Sequence, residues 1–246
     1  MPVNVLTKSD FTPRPATEAA GHFAKKAALT HLAFEKLSAE AKAHAFRVAT
    51  VHKARMVQDI RNVVEKAIEQ GTDWSAVQRE LLKKFDVEGV PRPALYRLRA
   101  MFLQNTMQAY NDARREVLDD PEVVQFFPYR MYWTVGDGTP GVNNVRATHA
   151  ALHGKVFAWD DPFWDAHTPP WDWGCRCTFV SLTAGQAKAR GEVIDLPYVR
   201  TRIQVPGTER RGIAEKPGFA RGKFDLRSIE AELRKAVEGM IGEEGT

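Results

Sequence analysis

Five of the chain's six tryptophans, Trp133, Trp159, Trp164, Trp171 and Trp173, fall between residues 133 and 173. Residues 126–181 around them carry four basic and five acidic side chains. Residues 1–125 carry 19 and 16, and residues 182–246 carry 12 and 10. A ring-dense, charge-poor stretch between two charged flanks constrains the fold strongly, because large side chains are what a module this small has to build a core. The same rings could in principle stack on nucleobases. With Arg130, Arg146, Lys155 and Arg176 as the only cations in the stretch, phosphate neutralisation would be weak, so core packing is the favoured reading. Some rings could also serve as an interface hot spot.

The flank before this module reads as helix. No proline interrupts Thr17–Gln70, where Ala, Glu, Lys, Arg and Leu dominate. One helix is expected over Thr17–Leu29 and another from Ala33 to about Phe46, with a possible continuation toward residue 70. Val51, Ala54, Val57, Ile60, Val64, Ala67 and Ile68 recur at spacings of three and four, an amphipathic stripe. Gly71 is placed to end that helix, and Thr72 or Asp73 to cap the next, through Phe85. Val90-Pro91-Arg92-Pro93 breaks the chain before a helix from Ala94 to about Val117. Past Pro128 the texture changes. Strands are expected at Tyr129–Val135, Lys155–Trp159 and Gly174–Leu182, with a short helix over Val145–His153 ended by Gly154. Asp225 is expected to cap a last helix with Leu226, Ile229, Leu233, Val237 and Met240 on one face. The fold class is therefore α+β: a helical N-terminal part (1–125), a small β-containing module (126–185), and a C-terminal extended arm plus helix (186–246).

The composition, 43% apolar and 27% charged, disfavours disorder and fibrous repeats. No apolar run reaches the roughly 18–20 residues of a bilayer span. The first residues, MPVNVLTKSDF, do not form a secretory signal. Two cysteines one residue apart cannot make a disulfide framework and fit a reducing compartment. A net charge of +4 tolerates a nucleic-acid neighbour without requiring one. Residues 199–223 are more pointed. Arg200, Arg202, Arg210, Arg211, Lys216, Arg221 and Lys223 stand against Glu209 and Glu215 on a stretch punctuated by Gly and Pro. Such an arm either stays a solvated loop or lies across an acidic surface, protein or DNA.

The residues with chemical potential sit in the module: Arg146, His149, His153, Asp160, Asp161, Pro169, Pro170, Cys175, Arg176 and Cys177. His149 and His153 share a helical face, and Cys175 and Cys177 would share a strand face with Arg176 pointing away. Two thiolates and two imidazoles would satisfy a tetrahedral zinc, so His149, His153, Cys175 and Cys177 are candidate metal ligands and a structural zinc the one candidate cofactor. The single residue between the cysteines counts against it, because zinc knuckles use two to four. Two buried free thiols are the favoured alternative. A catalytic thiol would need an activating base and an oxyanion hole, and no motif supplies the latter. Asp160-Asp161 before Pro162 reads as a turn. No P-loop, dinucleotide fingerprint or HExxH motif is present.

In order along the chain come Arg146-x-x-His149-x-x-Leu152-x-Gly154, then Asp160-Asp161-Pro162-Phe163-Trp164, Pro169-Pro170, and Cys175-Arg176-Cys177. This set resembles the signature of the Mu F-like minor head proteins of tailed bacteriophages. Ala24–Lys26, Ala45–Ala49 and Ile68–Thr72 look familial as well, so the resemblance covers roughly residues 16–185. The module residues that match are Arg146, His149, Gly154, Pro169, Pro170, Cys175, Arg176 and Cys177. One departure is the loop at residues 137–144, longer than the family's usual short, charged link. The resemblance implies a non-enzymatic minor capsid protein near the portal vertex that supports head morphogenesis and DNA packaging or delivery. It also implies portal and major capsid subunits as partners, with packaged DNA a further candidate, no membrane, and a place in the virion after assembly in the host cytoplasm. The alternative is a metal-dependent nucleic-acid-processing enzyme built on His149, His153, Cys175 and Cys177.

Overall fold

The computed structural model describes residues 15–49, 51–135, 145–190 and 226–244. The fold is α+β. The chain divides into two compact units, with the division inside one helix, between Ala113 and Arg114.

The helical unit comprises α1 (Thr17–Ala24), β1 (Ala27–Ala28), α2 (His31–Glu35), α3 (Ala39–Ala43), β2 (Ala45–Phe46), α4 (Ala54–Gln70), α5 (Trp74–Val87), most of α6 (Leu95–Leu118) and, from far along the chain, α11 (Leu226–Glu244). The stripe on α4 buries Val57, Ile60, Val64, Ala67 and Ile68 with Phe23, Phe46, Leu81, Phe85, Leu98 and Phe102. Gly71 ends α4 at φ 65°, a conformation side chains disfavour, and Asp73 accepts from the Ala76 N–H to start α5.

The expected helix to Leu29 stops at Ala24. From there the chain enters a two-residue parallel bridge, Ala27 opposite Ala45 and Ala28 opposite Phe46. Buried Arg61 on α4 supports this turn by donating Nε to the Lys26 carbonyl (2.9 Å) and Nη2 to that of Ala24. Lys26 in turn donates to Asn105 Oδ1 (3.0 Å) and Gln108 Oε1 (2.9 Å) on α6. The expected continuous helix from Ala33 is likewise broken. Thr30 and Ser38 each cap a short helix, accepting from the Ala33 and Ala41 N–H groups, so two caps divide a run whose propensities favour one helix. Helix α11 lays Ile229, Leu233 and Met240 against Leu29, Phe34, Leu37 and Ala41. There Ser38 donates both its N–H and its hydroxyl to the Glu232 carboxylate, at 2.6 and 2.8 Å.

The α/β unit holds the end of α6, α7 (Pro121–Val124), β3 (Tyr129–Trp133), α8 (Ala147–Ala150), β4 (Val156–Ala158), α9 (Phe163–His167), β5 (Thr178–Leu182) and α10 (Ala184–Arg190). β3 is the central strand of an antiparallel sheet ordered β4-β3-β5, with Tyr129 opposite both Ala158 and Leu182. Side chains alternate across it. Tyr132, Phe157 and Phe179 join Leu152, Phe163, Trp164, Trp171, Cys175 and Cys177, while Met131, Val156 and Leu182 meet Ala187 of α10. Arg130 is fully buried, its guanidinium 5.3 Å from the Phe179 ring and paired with Asp119. Trp164 and Trp171 are core, as the ring-dense stretch predicts, whereas Trp173 is half exposed.

Two expected elements are shorter than expected. The strand from Gly174 begins only at Thr178, because Gly174 adopts φ 69°, Cys175 N–H bonds back to the Asp172 carbonyl at 3.1 Å, and residues 175–177 form a lead-in without ladder partners. Helix α8 is a single turn, and His153 falls beyond it in the turn closed by Gly154 at φ 76°. The basic arm at 199–223, the loop at 137–144 and the Asp225 cap lie outside the described residues. No helix among those described is long and apolar enough to cross a membrane.

Truncating a ring at the centre of the helical core should cost far more than trimming an exposed leucine. Phe23→Ala is expected to lose about 3–5 kcal/mol and Leu32→Ala, at 62% exposure, less than about 0.5 kcal/mol, both read from urea denaturation midpoints.

Candidate functional site

Three segments of the α/β unit converge on one buried point. β3 presents Tyr132, α8 presents His149, and the stretch from Trp171 to Cys177 supplies an indole, a carboxylate and two thiols. Trp171 donates its indole N–H to the Tyr132 hydroxyl at 2.7 Å and stacks on the His149 imidazole, with ring centres 4.1 Å apart and planes within 11°. His149 Nδ1 lies 3.4 Å from Cys177 Sγ, 3.6 Å from Cys175 Sγ and 3.4 Å from the Tyr132 oxygen. On the far edge of the ring, buried Nε2 makes no hydrogen bond among the described residues and faces Asp172 Oδ2 at 4.0 Å. Arg146, at the N-terminal end of α8, approaches the same oxygen at 3.5 Å and donates to the Trp173 carbonyl at 2.6 Å. A cleft of about 20 Å³, bordered by Val135, Val145, Arg146 and Arg176, reaches His149 and both sulfurs.

The two thiols titrate as a pair. Burial works against any charge there, but hydrogen bonds from Cys177 and His149, with the charge on the imidazole, hold Cys175 well below a thiol's ordinary range. Cys177 is pushed up, first by its hydrogen bond to Cys175 and then by burial and by the neighbouring charge. Burial and those same sulfur charges push the Tyr132 hydroxyl well up. The two sulfurs are thus driven in opposite directions, Cys175 toward the thiolate and Cys177 toward the thiol.

Of the four candidate metal ligands, the structure brings His149, Cys175 and Cys177 together, all ligand atoms within 4.8 Å of one another. His153 is not with them. Its ring packs on Trp133 at 4.4 Å, and its Nδ1 lies 2.7 Å from the Thr134 hydroxyl and accepts from the Thr134 N–H at 3.2 Å. The i, i+4 argument fails because α8 ends before His153, so the two imidazoles no longer share a helical face. Pro169 and Pro170 are buried and joined by a cis peptide bond. Asp161 accepts from the Phe163 N–H at 2.7 Å and shapes the turn into α9. Arg176 is partly buried at the cleft. Arg200, Arg202, Arg210, Arg211, Lys216, Arg221 and Lys223 lie outside the described residues. Tyr132, Trp171 and Asp172 were not singled out from the sequence as site residues. Asp172 carried one usable signal, a carboxylate set between two tryptophans in a stretch otherwise poor in charge.

Comparison with known proteins places this geometry in context. The family described as Phage Mu protein F like protein matches residues 58–180. The Mu-like prophage FluMu F protein of Haemophilus influenzae is 35% identical over 178 residues, covering 64% of this chain and 39% of that protein. The putative capsid assembly protein F of Escherichia phage Mu is 30% identical over 228 residues, covering 85% of this chain and 50% of that protein. The chain thus spans half or less of the length of either relative. No solved structure matches it.

Two measurements probe the packing of this unit. Tyr132→Phe leaves the buried Trp171 indole N–H without its acceptor and is expected to cost about 1–3 kcal/mol in chemical denaturation. His167, stacked on Phe163 at 4.5 Å, is lowered by burial from 6.5 to about 4. The unfolded chain therefore binds the proton first as pH falls, and stability drops between about 6.5 and 4. The full loss is roughly 3 kcal/mol at 1.36 kcal/mol per pH unit. His167→Gln should flatten that limb of the urea-midpoint profile against pH.

Proposed function

The chain belongs to the Phage Mu protein F like family, and on that premise we propose that it is a non-enzymatic minor component of a tailed-bacteriophage head that acts in capsid assembly. The observation that carries this reading is the span of the family match, from α4 through β5. It takes in the whole of the buried constellation around His149, Cys175 and Cys177. The relative from phage Mu, described as a putative capsid assembly protein, supports it over most of this chain's length.

At finer grain, the protein joins the head near the portal vertex, contacts portal and major capsid subunits, and aids packaging or delivery of DNA. Its surfaces for this work are the helical unit and the basic segment from Arg200 to Lys223. Seven cations against two carboxylates on that segment suit an acidic partner, and packaged DNA is the densest one in a head.

The rival reading, a metal-dependent nucleic-acid-processing enzyme, keeps three of its four proposed ligands and loses His153. A nuclease assay with and without divalent metal separates the two, since DNA cleavage abolished by His149→Ala would replace the assembly reading.

Deleting the gene from the phage or prophage that carries it should sharply reduce the yield of DNA-filled heads counted by electron microscopy. A wild-type yield would overturn the proposal. Replacing Arg200, Arg202, Arg210 and Arg211 together by Ala should weaken association with DNA. It should also lower the slope of log K against log salt by up to about four, one per lost phosphate contact. An unchanged slope would remove DNA as the partner of the segment.

A further inference from the structure

We propose that His149 Nδ1, Cys175 Sγ and Cys177 Sγ form a binding site for a soft divalent metal ion, zinc by chemical preference, with Asp172 as the carboxylate that orients the histidine.

The distances already match such a centre. With Zn–S about 2.3 Å and Zn–N about 2.0 Å, tetrahedral angles place sulfur and nitrogen about 3.5 Å apart. The two sulfurs lie 3.4 and 3.6 Å from Nδ1. The objection to a single intervening residue is that zinc knuckles use two to four, because a turn of that length aims both sulfurs at one metal. Here Gly174 turns the chain at φ 69° just before the pair, and both sulfurs and the imidazole ligand atom lie within 4.8 Å of one another despite the short spacing.

The hydrogen-bonding arithmetic points the same way. A hydroxyl and two thiols surround Nδ1, yet one ring nitrogen can make only one of these hydrogen bonds, whether it donates or accepts. A Lewis acid among these atoms takes a lone pair from Nδ1 and from each sulfur at once. Nδ1 as the ligand requires the proton on Nε2, the ring edge that faces Asp172 at 4.0 Å and makes no hydrogen bond among the described residues. Carboxylate, histidine and metal in series is the usual outer support of such a ligand. Two thiolates neutralise the ion, which removes the main cost of burying it. Soft sulfur donors with imidazole select zinc over magnesium or calcium.

Binding is an exchange. The ion takes a lone pair from each sulfur and from Nδ1, and the thiol protons leave to solvent. Any proton carried on a ligand atom is displaced on binding, so uptake of the ion releases protons. The fourth position falls to a water from the cleft, whose volume of about 20 Å³ admits one. The ion would pin α8 to the segment entering β5, across 28 residues of chain.

The test uses the full chain, with Zn²⁺ for stoichiometry and Co²⁺ as the spectroscopic probe. Purified protein should carry one zinc per chain by elemental analysis. Chelator-stripped protein should take it up again, and Co²⁺ should give sulfur-to-metal charge transfer in the near ultraviolet. Asp172→Asn, which keeps all three ligands, should weaken zinc affinity roughly 10–100-fold, and His153→Gln should leave it unchanged. Because the ligand variants could fail to fold, the wild-type chain also supplies a readout, in that zinc should slow iodoacetamide alkylation of Cys175 at least tenfold. The proposal falls if the stripped chain takes up no zinc, if Co²⁺ shows no charge transfer, if Cys175 alkylates equally fast with and without zinc, or if a folded Cys175→Ser, Cys177→Ser double variant keeps the metal.

Discussion

Trp171 hands its indole proton to the Tyr132 hydroxyl over 2.7 Å, and the same indole lies flat on the His149 ring. Tyr132 stands in the middle strand, and its backbone bonds the turn that follows α8, accepting from Gly154 N–H and donating to the Lys155 carbonyl at 2.8 Å each. One buried residue therefore ties together a strand, a one-turn helix and the loop that carries both thiols. Elements of three to five residues cannot hold themselves together, because helix nucleation is costly and a short hairpin is marginal in water. The side-chain contacts do it for them. The polar tip of Tyr132 is tolerable at zero exposure because a donor meets it.

This arrangement also sets the two thiols apart within one enclosed site. Burial alone would keep both thiols protonated. The imidazole and the second thiol reverse that for Cys175 at the expense of Cys177. The Trp171 face covers one side of the imidazole, leaving its Nδ1 edge to the sulfurs and its Nε2 edge to Asp172. The chemistry is local, and what the surrounding rings add is orientation.

Much of this was readable from the chain, for physical reasons that differ between elements. The α4 stripe and its Gly71 stop were visible because period and cap agree. The ring-dense module announced a core because no other use of so many uncharged rings suits so short a span. Between Ala24 and Phe46 the sequence misled, since alanine-rich propensity pointed to long helices while tertiary contacts decided otherwise. Arg61 captured two carbonyls that a longer α1 would have used, and Thr30 and Ser38 divided the rest. At the site, His149 and the cysteines stood out by residue type, but His153 was grouped with them on the strength of a helix one turn too long. Asp172 and Tyr132 were missed for the opposite reason. Their roles depend on a long-range meeting of β3 with the 171–177 segment, and the setting of Asp172 between two tryptophans marks it as unusual without showing what it meets.

The clasp of Ser38 onto Glu232 has a bearing on how the protein is made. Residues near the start of the helical unit find their apolar cover, Ile229, Leu233 and Met240, only about 190–210 positions later. During translation Leu29, Phe34 and Leu37 must wait, uncovered, while the entire α/β portion is synthesised. Contacts this distant slow folding, and waiting apolar surface invites association with other chains. Ribosome-bound intermediates of this protein are thus natural clients for a chaperone until the covering helix emerges.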